Sequence, residues 1–176
     1  MTVRILRAVL AATVFVAVAA PTTSAQEGPS LPSVKWSSLE DAGTAAKTQK
    51  KPVFVMVYAD WCGYCHKMDA TTFRNPGIVG RLSSQYVTAK LNGESDKPVT
   101  FFKQSMTESQ WAQLQGVQGF PALIVVDPKG RTVVQYPGYL DTQTAGVFLD
   151  ELGVFFKAGG IDKLGNFVDW SNKRRG

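Results

Sequence analysis

The hydrophobic positions of this chain fall into two rhythms. Val53 to Tyr58 (VFVMVY) and Ala122 to Asp127 (ALIVVD) are unbroken apolar, β-branched runs. Such runs predict strands covered on both faces, and hence a central sheet with helices above and below. Tyr86 to Asn92 (YVTAKLN) predicts a further strand. Arg131 to Tyr139 (RTVVQYPGY) predicts a hairpin partner for ALIVVD across the turn Pro128–Gly130, with Pro137 at a sheet edge or bulge. The other rhythm is helical. Leu39, Ala42 and Ala46 predict a helix to about Lys50, opened by a capping box with Ser37 as N-cap and Glu40 three positions on. Cys62 to about Phe73 suits a second helix, which Asn75-Pro76-Gly77 breaks, leaving Ile78 to Leu82 as a short further turn. GESDKPVT, Gly93 to Thr100, reads as loop. Thr107 and Gln110 form another capping box, opening a helix through Trp111 and Leu114 that ends at Gly116. Ala145, Phe148, Leu152 and Phe155 mark an amphipathic helix over Thr142 to Lys157, and the periodicity beyond Ala158 is too weak to assign. Helices and strands thus alternate around one sheet, the pattern of an α/β domain.

The first residues change this picture. Arg4 and Arg7 precede an apolar stretch ending at Ala20, and Thr23 and Ala25 supply small residues for cleavage. This predicts a secretory signal peptide, residues 1–25. The stretch from Ala8 to Ala20 is short against the ~20 residues of a bilayer span, so membrane contact is expected only through this segment if it is uncleaved. Residues 26–33 (QEGPSLPS) read as a flexible lead-in, 34–157 as the folded domain and 158–176 as a C-terminal extension. Loss of Arg4 and Arg7 lowers the formal net charge from +5 to +3, which does not call for nucleic acid. A periplasmic or secreted protein meets an oxidising environment, where disulfides ordinarily brace the fold. Here the two cysteines, Cys62 and Cys65, close too small a loop to constrain the unfolded chain. Their pairing points to chemistry.

Cys62-Gly63-Tyr64-Cys65-His66 holds both cysteines and the single histidine of the chain. Two chemistries use this string. In a dithiol, Cys62 sits at a helix N-terminus, where free N–H groups and the helix dipole favour the thiolate, and acts as nucleophile. Cys65, one turn in, resolves the mixed disulfide. Gly63 permits tight entry into the helix, Trp61 and Tyr64 offer apolar surface to an unfolded polypeptide, and His66 is a candidate for proton transfer. That chemistry implies no cofactor and no metal. In a c-type haem protein the same sulfurs form thioethers and His66 binds iron, with Met56, Met68 or Met106 as second ligand. Zinc finds too few ligands here. Gly119-Phe120-Pro121 is the second informative stretch. A proline at the mouth of a buried strand fits a cis peptide as well as an ordinary trans one. If the strand lies beside VFVMVY, Pro121 approaches the sulfurs and the Phe120 backbone is free to pair with substrate.

KPVFVMVYADWCGYCHKM, GVQGFPALIVVDPKG and the later PGY together resemble the thioredoxin-like superfamily over about Val34 to Lys157. CGYCHKM is similar to the active-site string of periplasmic DsbC-type disulfide isomerases. The resemblance implies a thioredoxin fold: a central mixed β-sheet of four to five strands flanked by helices. It implies an exported thiol:disulfide oxidoreductase, reductase or isomerase rather than oxidase, with Cys62 as nucleophile, Cys65 as resolving cysteine and Pro121 as cis-proline. Its partners would be exported proteins that contain disulfides or cysteines, with a membrane-bound electron donor. It favours the dithiol over the haem. A non-catalytic module of the same fold, holding clients on Trp61, Tyr64 and Phe120, is the alternative function. One position departs from the family pattern: Met56 stands where many thioredoxins carry a buried Asp.

Overall fold

The computed structural model describes residues 32–176. The signal segment and most of the lead-in, residues 1–31, lie outside the described residues. The elements run α1 (Leu39–Gln49), β1 (Val53–Tyr58), α2 (Gly63–Ala70), a 3-10 turn (Thr72–Arg74), α3 (Pro76–Gln85), β2 (Val87–Asn92), β3 (Pro98–Phe101), β4 (Gln104–Thr107), α4 (Glu108–Leu114), β5 (Ala122–Val126), β6 (Thr132–Pro137), α5 (Thr142–Lys157), α6 (Gly160–Leu164) and α7 (Phe167–Arg175). Among the described residues no helix is long and apolar enough to cross a membrane.

Four strands form the central sheet in the order β2-β1-β5-β6. β1 pairs parallel with β2 and antiparallel with β5, and β6 closes the second edge antiparallel, so the sheet is mixed. This is the thioredoxin fold. The unbroken run in β1 has its reason here: residues Val53 to Val57 are buried on both faces. Phe54 and Met56 face a core completed by Met68 of α2, Leu82 of α3, and Phe148, Leu152 and Phe155 of α5. Val53, Val55 and Val57 face the opposite core, with Leu39, Ala42 and Ala46 of α1 and Trp111 of α4.

The outer edge of β2 is partly covered by the segment before α1. Ser37 makes a parallel bridge to Ala89, donating its N–H to the Thr88 carbonyl at 3.0 Å and accepting from the Lys90 N–H at 3.1 Å. The Thr88 hydroxyl adds a bond to the Lys35 carbonyl at 2.7 Å.

Several local expectations need correction. Ser38, not Ser37, caps α1, its side chain accepting from the Asp41 N–H; the Ser37 hydroxyl is drawn away to the Thr88 carbonyl at 2.8 Å. The helix after Cys62 stops at Ala70, and the chain turns through a 3-10 segment fixed by the Thr72 hydroxyl on the Leu140 carbonyl at 2.8 Å. Asn75-Pro76-Gly77 opens a helix of 10 residues instead of ending one. The Asn75 side chain accepts from the Gly77 and Ile78 N–H groups, and Pro76 occupies the first turn, where no N–H is needed. GESDKPVT is not all loop, since its last residues begin β3, which pairs with β4 in a separate hairpin. Its turn carries Phe102 and Lys103 at positive φ, 48° and 73°, a conformation that ordinary hairpin signals place on Gly or Asn. The 158–176 stretch forms α6 and α7, and Phe167 is buried beside Phe155.

Candidate active site

β1 ends at Tyr58, and the chain reverses at once. The Cys62 N–H bonds the Ala59 carbonyl at 3.0 Å. Cys62 keeps an extended backbone and becomes the N-cap of α2, its Sγ accepting the Cys65 N–H at 3.1 Å. A sulfur thus fills the role a Ser or Asp oxygen usually takes at this position. Cys62 and Cys65 are joined in a disulfide with Cα atoms 5.2 Å apart. Both are buried, at 3% and 1% exposure. The two are covered almost equally, because Cys62 packs into the same apolar core as Met68.

β5 brings the second half of the site. Val57 pairs with Ala122, which sets Pro121 at the end of the sheet from which the Cys62 turn emerges. The Phe120–Pro121 peptide is cis, and the Pro121 carbonyl accepts from the Gly138 N–H at 2.8 Å. The two halves touch through Trp61 and Phe120, whose rings meet edge to face with centroids 5.9 Å apart.

The flanking aromatics divide in role. Trp61 and Tyr64 are exposed, at 70% and 62%. Trp61 Nε1 donates to Glu94 Oε2 at 2.9 Å. Tyr64 leans on Tyr139, with centroids 5.7 Å apart, and Lys67 Nζ lies over the Tyr139 ring at 5.0 Å. Phe120 is half-buried, its ring directed at Gly93. Gly63, in the first turn of α2, has open space where a Cβ would stand.

His66 lies on the exposed side of α2. Its Nε2 sits 2.9 Å from the Asp60 carbonyl, an acceptor, so this nitrogen carries the proton. Met56 is fully buried in register with Lys90 and Leu123. Lys90 instead forms an ion pair with Asp69 of α2 and lies 4.6 Å over the Tyr58 ring. The Tyr58 phenol is pushed above its ordinary value by burial and by the negative charges of Asp60, Glu108 and Asp69. For haem attachment both sulfurs would have to bond a porphyrin, whereas here they bond one another, and Met56 and Met68 are fully buried among core side chains.

Three residues of the site were not read from the sequence: Gly93, Glu94 and Tyr139. The signal available for the first two is topological. A strand parallel to β1 must end on the same side of the sheet, so the residues after Asn92 arrive beside those after Tyr58. The Gly93 N–H on the Tyr58 carbonyl at 2.8 Å is that meeting point.

A CxxC pair at the mouth of a helix, fed by the central strand of a mixed sheet and faced by a cis-proline turn, defines a thioredoxin-fold protein. The chain belongs to the thioredoxin-like domain family, whose model matches residues 39–152. It is 25% identical over 118 residues to the protein disulfide-isomerase C17H9.14c of Schizosaccharomyces pombe, a match covering 67% of this chain and 29% of that protein. It is 32% identical over 88 residues to the thiol:disulfide interchange protein DsbD of Vibrio vulnificus, covering 50% and 13%. The chain therefore spans less than a third of the length of these curated relatives. Among solved structures, a thioredoxin from Thermus thermophilus aligns over 70% of this chain and 89% of its own, with a TM-score of 0.59 and 20% identity. That likeness is one of fold.

Proposed function

We propose that this chain is an exported thiol–disulfide oxidoreductase that exchanges disulfides with protein substrates through Cys62 and Cys65, working as a reductase or isomerase. The observation that carries the reading is the Cys65 N–H directed at Cys62 Sγ from the first turn of α2. A donor held there by the helix backbone favours a thiolate over a thiol at Cys62. The names of the relatives, a disulfide-isomerase and a thiol:disulfide interchange protein, favour the same chemistry.

In the reduced protein the Cys62 thiolate attacks one sulfur of a substrate disulfide. The substrate S–S bond breaks, a mixed disulfide forms, and the released substrate thiolate takes a proton from water. Cys65 then gives its proton to water and attacks Cys62 Sγ. The intramolecular disulfide forms, the second substrate thiolate leaves, and two electrons have passed from the cysteine pair to the substrate. For isomerisation the freed substrate thiolate attacks another substrate disulfide before Cys65 acts, and the thiolate that this releases attacks the mixed disulfide, forming a new substrate S–S bond and expelling the Cys62 thiolate unchanged. Restoring the dithiol needs an external dithiol donor, which we place at the membrane. The leader segment supports a periplasmic or secreted setting.

The exposed Trp61 and Tyr64 also favour holding unfolded clients. The test is direct. Cys62→Ser is expected to abolish insulin-disulfide exchange, and Cys65→Ser to accumulate mixed disulfides. Normal turnover by Cys62→Ser would overturn the assignment. Retained suppression of aggregation by a double-Ser variant that has no redox phenotype would assign the holding role alone.

A further inference from the structure

We propose that Gly93 is a positioning residue for substrate capture: by lacking a side chain it keeps open the notch that seats the Phe120 ring, and the seated ring holds Trp61 beside Cys62. The inference rests on the exchange chemistry proposed above. A Cβ built on Gly93 would stand 2.4 Å from Phe120 Cε1, 2.8 Å from Phe120 Cζ and 2.9 Å from Val57 Cγ1. None of these separations is tolerable for carbon atoms, whose contacts settle near ~3.5–4.0 Å. Val57 is fully buried and has no room to retreat, so the ring must yield.

Glycine is not required here by the backbone. Gly116, Gly130 and Gly138 have positive φ, whereas Gly93 does not, so alanine fits its conformation. The Gly93 N–H bond to the Tyr58 carbonyl survives the change as well. What glycine supplies at this position is space. The space is used by a ring that also meets Trp61, whose indole donates to Glu94. Glu94, Trp61, Phe120 and Gly93 therefore form one chain of contacts between the end of β2 and the cis-proline turn. Trp61 adjoins Cys62 and Phe120 adjoins Pro121, so displacing the ring shifts both walls of the path a polypeptide takes to the sulfur. A small disulfide reaches the sulfur without using either wall.

The test uses the full chain and measures kcat and KM for a protein disulfide (insulin), the rate of reaction of the reduced protein with a small aromatic disulfide, and the Cys62–Cys65 reduction potential. For Gly93→Ala we expect KM for insulin to rise about tenfold, the scale of one aromatic contact, with kcat nearly constant. The small-disulfide rate should stay within about twofold, because the chemical step is untouched. Phe120→Ala should raise KM by a similar factor. The double variant should match Phe120→Ala alone, because without the ring the added methyl displaces nothing. An unchanged KM in Gly93→Ala, or multiplicative effects in the double variant, would overturn the proposal. If Gly93→Ala does not fold, an unchanged KM in Phe120→Ala overturns it equally. Failure of the unaltered protein to react with either disulfide would instead sink the oxidoreductase reading itself.

Discussion

The Sγ of Cys62 accepts the backbone N–H of Cys65 at 3.1 Å, so the first sulfur of the motif is also the cap of the helix that carries the second. Stabilising the helix end and stabilising a thiolate are here the same interaction.

That identity predicts an asymmetry between the two thiols. In the reduced protein Cys62 should alkylate with iodoacetamide before Cys65, with an apparent pKa below the ~8.5 of a free cysteine. Mass spectrometry of the singly modified protein across a pH series measures both. Cys65 reacting first, or a Cys62 midpoint at the free value, would contradict the capping argument.

Met56 supplies a second prediction. It is fully buried between Lys90 and Leu123 in the sheet. Met56→Asp would put a carboxyl among apolar side chains, where burial raises its pKa. For an acid whose folded pKa is raised, the ionisation part of the cost is absent while the group is protonated and grows as pH rises from its unfolded value of ~3.9 towards the folded one. The variant should be less stable than the unaltered protein at every pH, because a core methionine is lost and a carboxyl is buried, and the deficit should grow by about 2 kcal/mol between pH 4 and pH 7. Urea midpoints at the two pH values decide this. Equal midpoints at pH 7 would mean that Lys90 has left Asp69 for the new carboxylate.

A third prediction concerns acid. The Asp162 carboxyl is held below its ordinary pKa by hydrogen bonds from Lys129 and Arg131, at 2.7 and 2.8 Å, which tie α6 to the β5–β6 turn. A depressed folded pKa contributes stability above the unfolded value and loses it as pH falls through the folded one. Asp162→Asn should therefore lower the urea midpoint at pH 7, and the difference from the unaltered protein should shrink as acidification protonates the Asp162 carboxyl, at a pH below the ~3.9 of a free aspartate. A difference that persists unchanged in acid would point to lost packing instead of lost charge.

The C-terminal extension gives a fourth. Phe167 of α7 meets Phe148, Phe155 and Trp170, with ring centroids 6.3, 5.3 and 6.0 Å away. Phe167→Ala should cost about 3–4 kcal/mol of unfolding free energy, the ordinary penalty for emptying an aromatic site in a core. A loss below about 1 kcal/mol, read by urea titration, would mean that α7 contributes little to the folded unit.

What the sequence disclosed follows how local the controlling physics is. β1, β5 and α5 were legible because burial on both faces, or on one helical stripe, writes itself into consecutive residues. The Thr107–Gln110 capping box was legible too, and both of its reciprocal bonds form. Ser37 misled because the cap was decided by a remote carbonyl, that of Thr88 on β2. The β3–β4 hairpin was hidden because Phe102 and Lys103 hold its turn without a Gly or Asn. Phe102 is kept there by Lys47, whose Nζ lies 4.6 Å over its ring, and by packing against Gly130, which no local pattern encodes. The same holds at the site. The CxxC and Pro121 announce themselves, whereas Gly93 and Glu94 acquire meaning only once β2 lies parallel to β1.

The strip of chain around Ser37, lying along the outer side of β2, has a bearing on life among denatured proteins. An unsatisfied sheet border is a template on which foreign strands can nucleate fibrils. Here part of that border is occupied in advance by the protein's own preceding residues. If the protein acts on half-made polypeptides as proposed, it is thereby guarded, along that side, against being recruited into their aggregates.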